Sequence, residues 1–171
     1  TDLPFMVYAF GNDIRWPRDK ALFDLPNVCG LKYTGPNFFS VQQLARRLDK
    51  PVALMSGFDE QFVAALTMGF QGGIGSTYNF APQYYAGIYE NFQDGNIAEA
   101  ARLQAEVNCV TEYMVQQENW SYRKAIMRYI GLDCGHCRAP YAPLTESEYA
   151  SWAAGIDELG ILQRGAAAPT S

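Results

Sequence analysis

The chain has 171 residues, 49% of them hydrophobic and 18% charged, with a formal net charge of −5. That length suits one domain with a full hydrophobic core. An acidic chain without a Lys/Arg patch argues against nucleic acid or an anionic membrane as partner, and no apolar stretch approaches the ~18–20 residues of a membrane span.

The opening residues Thr1-Asp2-Leu3-Pro4-Phe5 carry neither the basic nor the apolar region of a signal peptide, and lack an initiator methionine, so the chain is expected to begin mid-sequence or after processing. Leu3 to Tyr8 reads as a strand, followed by a Gly11-Asn12-Asp13 turn and a short helix near Arg18 to Phe23. Val28 to Tyr33 is the second strand. A helix from Ser40 to Leu48 places Val41, Leu44, Ala45 and Leu48 on one face. Strand Val52 to Met55, a helix from Asp59 to Met68, strand Gly72 to Ser76 and a helix around Gln83 to Phe92 complete the first half. After Asp94-Gly95 only helices follow. Ala100, Leu103, Val107, Val110 and Met114 space at three and four, Tyr122 to Tyr129 forms a second helix, and Thr145 with Glu148 makes a capping box for a third, with Tyr149, Trp152 and Ile156 inward. The predicted organisation is therefore βα units over 1–95, a helical extension over 96–163 and a disordered tail over 164–171.

Strand starts at 28, 52 and 72 recur at the spacing of consecutive βα units, which almost forces parallel strands with right-handed crossovers. Four units do not close a sheet. They make either a small open sheet or half of a (β/α)8 barrel, whose active sites sit at the carboxyl ends of the strands.

Lys32 lies within the apolar, strand-like run Val28-Cys29-Gly30-Leu31-Lys32-Tyr33-Thr34. Lysine is rarely buried without a reason, and a desolvated amine is a nucleophile that forms a Schiff base with a ketone. The alternative is a strand-end lysine that snorkels to solvent. Other strand ends carry related chemistry. Tyr8 closes the first strand and could shuttle a proton for an imine. Thr34 closes the second. Ser56-Gly57-Phe58-Asp59-Glu60 follows the third, and Gly72 to Asn79 forms the fourth. Gly57 and Gly75 would let a substrate approach the backbone. Asp59 and Glu60 equally suit the first turn of a helix, and Ser76 and Thr77 equally suit capping the next one.

Together these residues resemble the N-acetylneuraminate lyase and dihydrodipicolinate synthase family of class I aldolases. The resemblance rests on Gly30-Leu31-Lys32-Tyr33-Thr34, on Gly57-Phe58-Asp59-Glu60, and on Gly73-Ile74-Gly75-Ser76-Thr77-Tyr78-Asn79, which looks like the eighth strand of the lyase branch. Cys137-Arg138-Ala139-Pro140 resembles the family's Arg-x-Pro connection. The resemblance runs from about residue 3 to about 160 and covers the C-terminal half of the family's barrel. It implies an α/β fold: four βα units of a TIM (β/α)8 barrel plus a C-terminal three-helix extension. It implies that Lys32 forms the imine with pyruvate and that Tyr8 relays the proton to and from the sugar hydroxyl. Thr34 and Gly57 would line the pocket, while Asp59, Glu60 and Ser76 would bond the hydroxylated tail of a sialic acid. The expected reaction is cleavage of N-acetylneuraminate to pyruvate and N-acetylmannosamine, in a cytoplasmic homotetramer, with no cofactor and no metal. The expected partners are small molecules: pyruvate and an amino sugar or sugar acid. The alternatives are an aldolase for a related 2-keto sugar acid, a dihydrodipicolinate synthase-like enzyme, or a non-catalytic fragment. Gly11 stands where the family usually has a proline three residues after the tyrosine. The family's first four strands, with the loop that holds the pyruvate carboxylate, have no counterpart here.

Cys134-Gly135-His136-Cys137 spells a disulfide-isomerase motif, but it lies between late helices rather than after an early strand. The four cysteines are irregularly spaced, which points to a reducing cytoplasm, and His136, the one histidine, is expected in a surface loop.

Overall fold

The computed structural model describes residues 2–11 and 14–165. Four strands, β1 (Phe5–Phe10), β2 (Val28–Thr34), β3 (Ala53–Ser56) and β4 (Gly72–Gly73), form one sheet in the order β1-β2-β3-β4. All three pairings are parallel, as the recurring βα spacing predicts. Helices α1 (Lys20–Phe23), α2 (Phe38–Ala45) and α3 (Phe62–Thr67) connect the strands, and α4 (Pro82–Gln93) follows β4. The extension is α5 (Ile97–Val115), α6 (Tyr122–Tyr129) and α7 (Glu146–Leu159).

Local chemistry explains most boundaries. The side chain of Asn37 accepts the Ser40 amide at 3.1 Å, which starts α2 at Phe38 rather than at Ser40. The predicted helix at Asp59 opens instead as a 3-10 turn over Asp59–Gln61 and becomes α-helical at Phe62. The capping box at Thr145 is present, with the Glu148 amide on Thr145 Oγ1 at 3.2 Å and the Thr145 amide on the Glu148 carboxylate at 2.7 Å. The largest departure is β4. The predicted strand Gly72 to Ser76 shrinks to two glycines, which offer no side chain to pack, and the chain turns away into a 3-10 segment over Thr77–Asn79. The turn predicted at residues 11–13 falls partly on Asn12 and Asp13, outside the described residues. Of the predicted tail, Gly165 donates to the Tyr129 carbonyl at 2.9 Å and Arg164 pairs with Asp157, while 166–171 lie outside the described residues.

Two apolar clusters hold the molecule. One lies between the sheet and α1–α3 and contains Val28, Leu31, Tyr33, Leu54, Val41, Leu44 and Phe70. The other joins α3 and α4 to the extension through Phe62, Tyr85, Ile88, Val107, Ile126, Trp152 and Ile156. Alternation along β2 sends Leu31 and Tyr33 into the first cluster and therefore puts Gly30, Lys32 and Thr34 on the opposite face. On that face β1 exposes Tyr8 (54%) and Phe10 (66%), rings 6.1 Å apart. The sheet thus packs on one side only, and its other side is open.

Candidate active site

The site assembles on the open face, towards the carboxyl ends of the strands. Parallel register sets Tyr8 of β1 beside Lys32 of β2, and Lys32 beside Met55 of β3. The Lys32 ammonium lies over the Tyr8 ring, 4.3 Å from its centroid, in a cation–π contact. Thr34, two residues further and 6% exposed, donates from Oγ1 to the Tyr8 hydroxyl at 3.3 Å. Lysine amine, phenol and threonine hydroxyl therefore form one contiguous group. Lys32 itself is half-buried rather than buried, because the open face leaves it in contact with solvent.

Gly57 follows β3, and its amide donates to the Tyr33 carbonyl at 2.8 Å. A Cβ on Gly57 would lie 1.8 Å from Thr34 Oγ1, 2.9 Å from Thr34 Cβ and 3.1 Å from Lys32 Cε. The glycine is needed for space. Gly57→Ala is expected to push Thr34 out of reach of Tyr8 and to displace the lysine stem. Stability should fall by ~1–3 kcal/mol, as for other overpacked sites, and the rate of any Schiff-base formation at Lys32 by roughly 10–100-fold, as for a misplaced reacting group. Thermal melting and borohydride trapping with pyruvate, run side by side, measure both.

Asp59 sits one loop further on and is 5% exposed. Its Oδ2 accepts the Thr77 amide at 2.9 Å and the Thr77 hydroxyl at 2.6 Å, while Oδ1 is buried with no hydrogen-bond partner among the described residues. Burial pushes the Asp59 carboxyl above its ordinary range, opposed by the Thr77 donors and then by the positive charge of Lys32. Gly75 contributes by having no side chain, since a Cβ there would stand 1.5 Å from Asp59 Oδ1. The sequence reads Gly75 as a place for substrate to approach the backbone; here the Asp59 carboxylate fills that space. Glu60 borders a cleft against α5 with Asn108, Cys109 and Glu112. Ser76 is exposed at the turn after β4, and its amide adds to the stabilisation of the Asp59 anion.

Several residues that hold this arrangement are not singled out in the sequence. Gln104 of α5 donates to the Asp59 carbonyl at 3.1 Å and accepts the Val63 amide at 3.1 Å, and Asn108 donates to the Glu60 carbonyl at 3.0 Å. The helical extension therefore fixes the backbone of the Asp59–Glu60 loop. The signal was a glutamine on the apolar stripe of a helix, between Ala100 and Val107, where a buried amide needs partners. The Cys134 to Cys137 motif lies in the loop between α6 and α7; Cys134 is exposed and Cys137 half-buried, both free. Among the described residues no group of three or more His, Cys, Asp or Glu is placed to hold a metal ion, and no helix is long and apolar enough to cross a membrane.

Parallel βα units with a lysine and a tyrosine on adjacent strands, grouped near the strands' carboxyl ends, define an α/β protein of the (β/α)8-barrel class, here four units with a helical extension. The chain belongs to the dihydrodipicolinate synthetase family, whose model matches residues 1–159. It is 35% identical over 149 residues to an N-acetylneuraminate lyase of Salmonella paratyphi B, covering 84% of this chain and 50% of that protein. Among solved structures it is similar to N-acetylneuraminate lyase from Mycoplasma synoviae, with a TM-score of 0.82 and 26% identity over 93% of this chain and 54% of that one. The N-acetylneuraminate lyase of Fusobacterium nucleatum complexed with pyruvate gives a TM-score of 0.82 at 24% identity, covering 94% and 55%, a likeness of fold. The chain thus spans about half the length of the curated relatives it matches.

Proposed function

We propose that this chain carries the Schiff-base half of a class I aldolase site acting on a 2-keto sugar acid, with N-acetylneuraminate as the substrate. The observation that carries the reading is the group formed by Lys32, Tyr8 and Thr34 near the carboxyl ends of adjacent parallel strands. In this reading the Lys32 amine attacks the ketone of the open-chain sugar acid and water leaves, giving a protonated imine. Tyr8 relays the proton of the hydroxyl beyond the scissile bond, giving up its own phenolic hydrogen to solvent on the open face as it takes the new one. That bond breaks, its electron pair passes into the imine as an enamine, and N-acetylmannosamine departs. Protonation of the enamine and attack of water then release pyruvate and return the amine. Thr34, which donates to the Tyr8 oxygen, helps stabilise negative charge there. Gly57 keeps Thr34 and Lys32 in place, and Asp59, Glu60 and Ser76 belong to the end of the site that receives the hydroxylated tail, since carboxylates accept from several hydroxyls. The similarity to N-acetylneuraminate lyases supports the sialic acid over other 2-keto sugar acids. The exposed free thiols of Cys29, Cys109 and Cys134 suit a reducing compartment such as the cytoplasm. The homo-oligomer expected from the resemblance is part of the same reading.

The test is intact-mass analysis after incubation with pyruvate and borohydride, followed by peptide mapping. One reduced pyruvyl group on Lys32 is the expected result. No adduct from a folded chain would overturn the reading for these residues alone and favour a site that reacts only once further strands cover the open face.

A further inference from the structure

We propose that Thr77 and Tyr85 are positioning residues: a buried hydrogen-bond relay through them locks the Asp59 carboxylate to the turn after β4 and so holds a fixed negative charge within the field of Lys32. The direction of the relay follows from counting hydrogens. Asp59 Oδ2 receives both the Thr77 amide, at 2.9 Å, and the Thr77 hydroxyl, at 2.6 Å. When Asp59 is ionised, two donors occupy two lone pairs of that oxygen, and the single hydroxyl hydrogen of Thr77 is committed to it. The Tyr85 hydroxyl lies 2.8 Å from the same Thr77 oxygen, and either hydroxyl can donate in that pair; with Asp59 ionised the Thr77 hydrogen goes to the carboxylate, and Tyr85 is then the donor. The relay runs Tyr85 to Thr77 to Asp59, from α4 to the loop after β3.

Every member is held from outside. Tyr85 is 3% exposed, its ring 4.3 Å from that of Tyr78 and 6.2 Å from that of Phe62, so its hydroxyl cannot swing away. Burial raises the Tyr85 phenol to about 12, which keeps it a proton donor throughout the neutral range. Gly75 leaves room for Oδ1 on the other side. The charged and titratable groups around Asp59 are Lys32, which attracts it, and Glu60, Tyr78 and Tyr85, whose phenols are both pushed upward by burial. Oδ2 is doubly bound, and Oδ1 is buried without a partner among the described residues. Beyond any bond to the sugar, Asp59 acts through its charge and through the turn bearing Ser76. A fixed anion near a lysine favours the positively charged imine over the neutral amine. This last point rests on the aldolase reading above; the relay itself does not.

The experiment separates the two. The Asp59 side-chain carboxyl carbon is titrated by carbon-13 NMR in the parent chain and in Tyr85→Phe, Thr77→Val, Thr77→Ser and the double variant Thr77→Val/Tyr85→Phe. Loss of the hydroxyl donor in Thr77→Val should raise the proton affinity of Asp59 by roughly tenfold, about one pH unit. Tyr85→Phe should raise it by roughly two- to threefold, Thr77→Ser should restore the parent value, and Tyr85→Phe should add nothing in the Thr77→Val background, because it acts only through the missing hydroxyl. An unchanged Asp59 titration in folded Tyr85→Phe overturns the proposal, as does an equal Tyr85→Phe effect in both backgrounds. Should Thr77→Val not fold, Tyr85→Phe and Thr77→Ser decide alone. The pH dependence of borohydride trapping with pyruvate in the same variants then reads the link to Lys32. Relay shifts without any trapping would leave the relay standing and reject the aldolase reading for this chain.

Discussion

Lys32→Ala is expected to eliminate the borohydride-trapped pyruvate adduct, a loss of at least about a thousandfold in trapping rate, while leaving the fold intact. Only a nucleophilic amine forms the imine, and no neighbouring group can substitute. Thr34 and Tyr8 carry hydroxyls, Lys20 pairs with Asp24 and Asp49, and Lys50 donates to the Val28 carbonyl at the amino end of β2, away from the Tyr8–Thr34 group. The structural cost should be small. The lysine is half-buried, makes no ion pair among the described residues, and gives up one cation–π contact with Tyr8, worth ~0.5–1 kcal/mol where solvent still reaches. The measurement is intact mass after trapping, together with urea denaturation of both chains. An adduct of undiminished rate in the variant would move the chemistry to another residue. The contrast with Gly57→Ala is informative: there the amine remains but its setting is lost, so both trapping and stability fall.

Trp152→Ala is expected to have the largest effect on stability, a loss of ~3–5 kcal/mol typical of truncating a buried indole, out of a total of about 5–15 kcal/mol. Trp152 is 4% exposed, and the rings of Tyr113, Tyr122, Tyr129 and Tyr149 all lie with centroids 5.7–6.4 Å from its own. It is the point at which α5, α6 and α7 meet. Its indole nitrogen is buried with no hydrogen-bond partner among the described residues, so part of the apolar gain is already offset. Trp152→Phe, which removes that unpartnered donor and keeps a ring, should therefore cost far less than the alanine variant. The effect should also reach the site. Trp152 shares its cluster with Phe62 and Tyr85, and α5 grips the Asp59–Glu60 loop through Gln104 and Asn108. Urea denaturation followed by circular dichroism measures the loss; equal stability of parent and alanine variant would show that the extension does not depend on this ring.

Signals confined to a few neighbouring residues were legible in the sequence. Tyr122 to Tyr129 is helical with the bounds its periodicity predicts, and the Thr145 capping box is a matter of a hydroxyl, an amide and a carboxylate three residues apart. β2 was legible because its apolar run is bounded by Pro26-Asn27 and Gly35-Pro36, with one residue, Thr34, added by pairing with Phe10. β4 is shorter than its sequence predicts. A strand of glycines has no side-chain pattern to fix its end, and hydrogen bonds to the neighbouring strand decide where it stops.

By itself the sequence determined the order of the elements, the parallel sheet they almost force, the three-helix extension and the lysine-bearing strand, because composition, periodicity and capping act over a few residues. The tertiary structure alone decided how the candidate site is held. Asp59 meets Thr77 across 18 positions, Gln104 reaches its carbonyl across 45, and Gly75 is required because a carboxylate from another loop occupies its Cβ position. Such pairings depend on where whole elements pack, and a buried polar atom finds its partner through that packing rather than through its neighbours in the chain.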